Sequence, residues 1–257
     1  MAGVKREREG AVAILTLDEP ASLNAMTPDL LGDLARAIGE CSADLTVRAL
    51  VLTGAGRGFC SGQNLKAFQS LGEDIEAGVM RHYWPAFEAL RTCRMPVVVA
   101  VNGVAAGGGM SLAMAGDMIV AARSASFIQV FSRIGLVPDL GSTWLLPRLI
   151  GRQRALELML LNEPIDAARA MEWGLVREVF DDAALRAGAL ALAARLAAGP
   201  TRALVETRRL IEQSEFSDYL SQFRREIQAQ AQIRNSDDAL EGRRAFIEKR
   251  QAAFTGR

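Results

Sequence analysis

Residues 96–109 read Pro-Val-Val-Val-Ala-Val-Asn-Gly-Val-Ala-Ala-Gly-Gly-Gly, and this stretch decides much of the fold. Its first six residues form a continuous apolar run, which predicts a strand buried on both faces. Glycines at 107–109 then precede a predicted helix at 110–115. Such glycines let another backbone or a ligand approach closely, and free N–H groups of a first helical turn can face an anion or a developing oxyanion. Close helix packing and a binding site are both open interpretations.

Further short apolar runs on either side of this stretch predict more strands, separated by helical patterns. The first helix follows Thr27 and Pro28, an N-cap residue and a proline that suits the first turn. Strands that alternate with helices imply right-handed crossovers and an α/β core. The predicted strands are residues 12–17, 49–53, 96–101 and 118–121, and the apolar stripe of the first helix is Leu30, Leu31, Leu34 and Ile38.

Beyond Gly151 the sequence becomes mostly helical, with a single late strand predicted at 175–180. One of these helices carries an apolar stripe of Leu220, Phe223 and Ile227, while its other faces are polar. Amphipathic helices without strands of their own either cover the core or pack on another subunit, and both remain open. The predicted helices are residues 152–161, 166–173, 182–198, 200–214, 216–234 and 236–250.

Composition excludes several classes of function. The chain of 257 residues has 30 Lys plus Arg and 30 Asp plus Glu, and this zero net charge argues against a nucleic-acid binder. Its single histidine, His82, leaves no histidine-cluster metal site, and a structural role is the simpler interpretation of that residue. Three cysteines without metal-type spacing indicate a reduced, cytoplasmic setting. A charged N-terminus and the lack of an 18-residue apolar window predict neither a signal peptide nor a membrane span.

Two local motifs are candidates for chemistry. Gly54, Gly56 and Gly58 follow a predicted strand, but their GxGxG spacing opens no helix, so a dinucleotide site is only weakly indicated. Asp139 lies in a Pro/Gly turn before an apolar run that contains Trp144. An aspartate in such a turn is usually an N-cap. If its aromatic and aliphatic surroundings line a pocket, they raise its pKa and suit it to proton transfer.

Taken together, these segments closely resemble the crotonase, or enoyl-CoA hydratase/isomerase, superfamily. The resemblance implies an α/β fold, a ClpP/crotonase-like spiral of ββα units with a C-terminal α-helical trimerisation region. Residues 1–198 would form the spiral core with the acyl-CoA site, and residues 199–257 would serve subunit packing and coverage of coenzyme A. The segments that carry the resemblance are residues 22–26, 52–65, 96–109, 135–141, 144–148 and 241–250.

The resemblance also implies site residues. Acyl-CoA thioesters would bind with their carbonyl in an oxyanion hole formed by the backbone amides of Gln63 and Gly108. No metal is implied, and coenzyme A enters only as part of the substrate. Lys66 would meet a phosphate of coenzyme A or be a solvated surface lysine. The other implied contacts are Ser22, Asn24 and Ala25 by backbone to the adenine, and Phe246 and Lys249 to the coenzyme A of a neighbouring subunit in a homotrimer or dimer of trimers.

Departures from the family pattern indicate a subtype. Typical hydratases of the family use two glutamates, and the matching positions here are Ser111 and Phe131. Asp139 stands where isomerases of the family carry their working carboxylate. The pattern looks most like the phenylacetate-pathway isomerases that act on epoxyphenylacetyl-CoA, with Ser111, Phe131 and Ile134 shaping the acyl pocket.

Three alternatives remain open. The first is an enoyl-CoA hydratase. The second is an aroyl-CoA dehalogenase with Asp139 as nucleophile and His82 as base. The third is a non-catalytic member that binds RNA or a protein.

Overall fold

The computed structural model describes residues 3–68 and 72–257, which form two β-sheets with helices packed around them. The larger sheet has six strands in the order β1-β2-β3-β5-β7-β10, and the smaller has four in the order β4-β6-β8-β9. The strands are β1 Gly3–Glu9, β2 Val12–Asp18, β3 Ala49–Gly54, β4 Gly58–Cys60, β5 Val97–Val101, β6 Val104–Ala106, β7 Met118–Ala122, β8 Ser126–Ile128, β9 Ile165–Asp166 and β10 Glu178–Phe180.

The strands alternate between the sheets along the chain. β3, β5 and β7 pair in parallel in the larger sheet, and each is followed within a few residues by β4, β6 or β8 of the smaller one. Each pair leads into helical structure before the next pair begins, which confirms the predicted α/β spiral of ββα units. The helices are α1 Pro28–Ala43, α2 Leu65–Phe68, α3 Ile75–His82, α4 Trp84–Thr92, α5 Gly108–Met114, α6 Ser142–Ile150, α7 Arg152–Leu161, α8 Ala167–Glu172, α9 Leu185–Ala197, α10 Thr201–Ser214, α11 Tyr219–Ile233 and α12 Asp237–Glu248.

The buried strand predicted within residues 96–109 is confirmed. All five residues of β5 are buried, because β3 and β7 flank it and helix α9 packs across it. The N-cap prediction for α1 is also confirmed, since Thr27 Oγ1 accepts a hydrogen bond from the Leu30 amide at 3.2 Å. The predicted stripe of α1 lies in the core.

The late strand is shorter than predicted, and the reason lies in helix α8. The amides of Leu175 and Val176 both donate to the carbonyl of Ala170, so these apolar residues close the end of α8. Both side chains are buried there. Only from Arg177, whose amide donates to the Ile119 carbonyl at 2.8 Å, does the chain pair with β7.

The C-terminal helices are anchored on the sheet by arginines. Arg208 of α10 forms an ion pair with Asp117 at 3.1 Å and donates to the carbonyl of Met95 at 3.3 Å. Arg48 donates to the carbonyl of Phe254 at 2.7 Å. The predicted boundary at 198/199 falls between α9 and α10. Along α11, the stripe of Leu220, Phe223 and Ile227 is about half exposed.

Two helix ends differ from the prediction for local reasons. Helix α11 begins at Tyr219 instead of 216, because the side chain of Asp218 caps it by accepting from the Ser221 amide at 2.9 Å. Helix α12 ends at Glu248, since Lys249 takes a left-handed conformation with φ 53°. In the part of the chain that the structure describes, no helix is both long enough and apolar enough to span a membrane.

Candidate active site

A cavity of about 300 Å³ lies where the loop after β4, the start of α5 and the segment 130–139 meet. It brings together five of the residues predicted for the site. These are Gln63, Gly108, Phe131, Ile134 and Asp139, and the other lining residues are Ser61, Gly62, Leu65, Gly107, Val130, Arg133 and Leu136.

The backbone around Gln63 is fixed by a short parallel bridge to Met26. The Met26 amide donates to the Gly62 carbonyl at 2.7 Å, and the Asn64 amide donates to the Met26 carbonyl at 3.0 Å. In such a bridge the intervening residue directs its own N–H to the opposite side. Within residues 3–68 and 72–257 the Gln63 amide therefore has no acceptor, and it remains available to a ligand in the cavity.

The glycines at the start of α5 are required by close packing. A Cβ on Gly109 would lie 2.1 Å from the carbonyl oxygen of Cys60, and one on Gly108 would lie 2.5 Å from Cε of Met26. Gly62, with φ +94°, approaches Gly108 so closely that its own Cβ would be 3.5 Å from the Gly108 nitrogen. The Gly108 amide belongs to the first turn of α5 and, like that of Gln63, has no acceptor in the described part of the chain.

Close packing and a free amide thus occur together in this turn. The two interpretations of the glycine triplet are compatible, because the packing brings two unpaired N–H groups to the same cavity wall.

Asp139 is the carboxylate of this cavity. It does not cap helix α6, because the N-cap position is Gly141 and the Asp139 carbonyl instead accepts from the Ser142 amide at 3.0 Å. Its Oδ1 is buried and has no hydrogen-bond partner among the residues described. Burial raises the pKa of Asp139 to about 6, against a smaller lowering by its own backbone N–H. A half-buried, unpaired carboxylate of this kind is a suitable general base.

Ser111 lies behind the cavity and is fully buried. Its hydroxyl donates to the carbonyl of Asp139 at 3.2 Å, so it supports the turn that carries the carboxylate. Phe131 is buried and Ile134 is exposed, and both line the cavity. All three residues were predicted to shape the acyl pocket. Phe131 and Ile134 line the cavity, whereas Ser111 does not.

The residues predicted to contact coenzyme A lie in three places. Ser22, Asn24 and Ala25 form the turn before α1, where the Asn24 side chain accepts from the Glu19 amide at 2.8 Å and donates to the Gly58 carbonyl at 2.8 Å. Lys66 is exposed on α2. Phe246 and Lys249 lie at the end of α12, where Phe246 is 86% exposed. Neither of these last two lines the cavity around Asp139.

Tyr83 belongs to the site although no motif of the sequence marked it. It is fully buried between α3 and α4, and the side-chain amide of Gln63 donates to its hydroxyl at 3.2 Å. Burial raises the pKa of Tyr83, the hydrogen bond from Gln63 lowers it, and the nearby charge of Asp139 raises it further. His82, by contrast, is half-exposed at the end of α3.

A second, mostly apolar cavity of about 640 Å³ lies on the other side of the Asp139 turn. Leu140 and Gly141 form part of its wall, so the two cavities share that turn. Trp144 stacks on Phe216 with ring centroids 5.9 Å apart, and the Arg148 guanidinium lies 4.2 Å from the centroid of the Trp144 ring. The remaining lining residues are Val79, Met80, Trp84, Phe87, Arg91, Ala115, Leu145, Arg209, Glu212 and Gln213.

Comparisons with known proteins identify one family over nearly all of the chain. The family model described as Enoyl-CoA hydratase/isomerase matches residues 7–257. The chain is 42% identical to the 1,2-epoxyphenylacetyl-CoA isomerase of Escherichia coli K12 over 97% of both proteins. It is 39% identical to a Rhodobacter capsulatus protein named "Probable enoyl-CoA hydratase", over 99% of this chain and 98% of the relative.

A solved structure shows the same fold. The enoyl-CoA hydratase from Polaromonas sp. JS666 superposes with a TM-score of 0.93 at 32% identity, covering 98% of this chain and 99% of that one. Together with the family match, this confirms the crotonase-type spiral expected from the motifs. The chain belongs to the enoyl-CoA hydratase/isomerase family.

Proposed function

We propose that the protein is an acyl-CoA isomerase that moves a proton along the acyl chain with Asp139 as its single base. The observation that supports the proposal most strongly is the Asp139 carboxylate, whose pKa is raised to about 6 and whose Oδ1 is unpaired. It lies in the same cavity as two backbone amides that find no acceptor among the described residues. A suprafacial proton shift needs a single base, because the group that takes the proton can return it.

The reaction on a 3-enoyl-CoA proceeds in two steps. The Asp139 carboxylate removes a proton from C2, and the electron pair of the broken C–H bond moves onto the thioester as a dienolate. The amides of Gln63 and Gly108 donate to the enolate oxygen, a contact that strengthens as negative charge develops there. Asp139 then returns the proton to C4, which gives the conjugated 2-enoyl-CoA.

The side chains at the other two family positions disfavour hydration. Addition of water needs groups that deprotonate and deliver it, and the positions of the two hydratase glutamates hold Ser111 and Phe131. The Ser111 hydroxyl is fully buried and engaged with the Asp139 carbonyl, so it offers no base to a water in the cavity.

A panel of acyl-CoA esters tests the proposal directly. We expect the purified protein to convert a 3-enoyl-CoA to its 2-enoyl isomer and to add water to a 2-enoyl-CoA at least about a hundredfold more slowly, as expected when a general base is missing. Chromatography of the products separates the two reactions. Hydration as the faster reaction would overturn the proposal, and chloride release from 4-chlorobenzoyl-CoA would favour a dehalogenase instead.

A second candidate reaction is the conversion of ring-1,2-epoxyphenylacetyl-CoA to its oxepin form. The observation that favours it is the 42% identity to a relative named 1,2-epoxyphenylacetyl-CoA isomerase. The apolar cavity beside the Asp139 turn offers aromatic surfaces of Trp84, Phe87 and Trp144 near such a ring. Turnover of this epoxide at a rate comparable to that of the 3-enoyl ester would support the second reaction, and no turnover would limit the activity to enoyl esters.

We also propose that coenzyme A is bound across subunits of a homotrimer or a dimer of trimers. Support comes from the exposure of Phe246 on α12 and of the apolar stripe on α11, both outside the cavity of their own chain. Light scattering should give three or six times the mass of one chain. Lys249→Ala should then weaken acyl-CoA binding several-fold, whereas Arg244→Ala, which removes an exposed cation within α12 itself, should not. A monomer that binds acyl-CoA fully would contradict the proposal.

A further inference from the structure

Tyr83 and Gln63 form a polar pair near the Asp139 carboxylate. The Gln63 side-chain nitrogen donates to the Tyr83 hydroxyl at 3.2 Å, while Oδ1 of Asp139 is buried and unpaired among the described residues. Gln63 and Asp139 line the same cavity. The charge of Asp139 also acts on the Tyr83 hydroxyl, which raises the pKa of that phenol.

This arrangement has an electrostatic consequence. A carboxylate that accepts a hydrogen bond from an amide is stabilised in its charged form and becomes a weaker base. Among the residues that line this cavity, Gln63 is the one whose side chain carries an uncharged amide N–H donor. Once released from Tyr83, the half-buried Gln63 amide would find an acceptor in the unpaired Oδ1 of Asp139, since a donor withdrawn from water is costly to leave without an acceptor.

We propose that Tyr83 is a positioning residue that holds the side-chain amide of Gln63 and thereby leaves Oδ1 of Asp139 without a hydrogen-bond donor. Tyr83 is itself fully buried and does not line the cavity, so it acts through Gln63 and touches no substrate. A change of partner of the Gln63 side chain would not move its backbone amide, because the bridge to Met26 fixes that amide separately.

Other titratable groups around this part of the cavity stay the same when Tyr83 is changed. Arg133 lines the cavity from the turn at 131–134 and donates to the Asn162 carbonyl at 2.5 Å. Cys60 lies buried beneath, with its pKa raised to about 12 by burial, so its thiol is neutral. The facing residues of α5 and α6, Ser111 and Ser142, do not titrate.

The test is a carbon-13 NMR titration of the Asp139 carboxyl in the full chain labelled on aspartate, with Asp139→Asn to assign the signal. Tyr83→Phe should lower the titration midpoint by about one pH unit, because Gln63 then donates to the carboxylate. Gln63→Met should not lower it. The double variant Tyr83→Phe with Gln63→Met should have the same titration midpoint as Gln63→Met, since it has no side-chain amide that could donate to Asp139.

Two outcomes would overturn the proposal. One is a Tyr83→Phe midpoint within about 0.3 pH unit of the wild type, well below the usual effect of a new hydrogen bond. The other is a double variant that stays as low as Tyr83→Phe. If Tyr83→Phe does not fold, Tyr83→Met is titrated in its place, because it also removes the hydroxyl and fills the space.

The catalytic consequence rests on the function proposed above, whereas the titration needs no turnover. In the isomerase assay, Tyr83→Phe should lower kcat severalfold above pH 7 with little change in KM, and Gln63→Met should cancel that loss in the double variant. Because the NMR titration is independent of activity, failure of the positioning role and failure of the isomerase assignment give different results.

Discussion

At the scale of single residues, Asp139 combines burial with an empty hydrogen-bonding position. The sequence placed it in a Pro/Gly turn and suggested two roles for it, an N-cap and a proton-transfer group. The structure excludes the first, because Gly141 occupies the N-cap position of α6. The second depends on tertiary contacts that no local pattern contains, since the residues that bury the carboxylate come from segments far apart along the chain.

The pH dependence of turnover follows from the raised pKa of Asp139. A base must be ionised to accept a proton, and burial puts the pKa of this carboxyl at about 6. We therefore expect kcat/KM for a 3-enoyl-CoA to be level above pH 7 and to fall about tenfold per pH unit below 6. A rate that stays level down to pH 4.5 would show that another group is the base.

Tyr83 illustrates what sequence patterns cannot provide at this scale. Its contact with Gln63 joins the residue between α3 and α4 to the loop after β4, 20 positions earlier in the chain. Neither residue stands in a motif that links it to the other. The pairing depends on how these two segments meet in the folded chain, which no local pattern shows.

At the scale of secondary-structure elements, the stretch 96–109 was largely predictable. Its buried strand and its glycine-rich helix start both follow from local rules, and β5 and α5 lie close to the expected positions. The late strand was predicted too long, because Leu175 and Val176 have strand-like side chains but their amides close α8. Apolar character alone does not distinguish these two uses of a buried residue.

Substitution of the glycines tests the close approach at α5. Gly109→Ala should destabilise the protein by about 3 kcal/mol or more. The new Cβ would lie 2.1 Å from the Cys60 carbonyl oxygen, and only a shift of the backbone would relieve this clash. Gly32→Ala in α1 is the matched control, since nothing lies within 4 Å of the new Cβ. Alanine there should stabilise the helix by about 0.5–1 kcal/mol. Urea unfolding measures both, and equal effects would contradict this account.

At the scale of the whole molecule, loops that follow strands of the smaller sheet meet around the cavity of Asp139. The alternation of strands between the sheets brings the turns after β4 and β6 side by side, and these turns supply the two free amides. The α/β class and the helical tail were predictable from periodicity. Division of the strands between two sheets was expected only from the resemblance to a family, because short buried strands do not indicate which sheet they join.

The attachment of the C-terminal region depends on the ion pair between Arg208 and Asp117. Burial raises the pKa of Asp117 while Arg208 opposes that effect, so the carboxylate relies on its partner. Arg208→Met should lower the free energy of unfolding by about 1–3 kcal/mol, because Asp117 loses its cationic partner and the Met95 carbonyl loses a donor. Arg208→Met with Asp117→Asn should recover part of this loss. Thermal melts at pH 7 provide the comparison, and a single variant as stable as the wild type would contradict the role.

The central claim is that one carboxylate moves the proton, and the rate of Asp139→Asn on a 3-enoyl-CoA tests it most directly. Asparagine keeps the shape of the side chain but cannot accept the proton. We expect kcat to fall about a thousandfold or more. The affinity for a non-reacting acyl-CoA, measured by calorimetry, should stay within about threefold of the wild type. An Asp139→Asn enzyme that isomerises the ester within tenfold of the wild-type rate would contradict it.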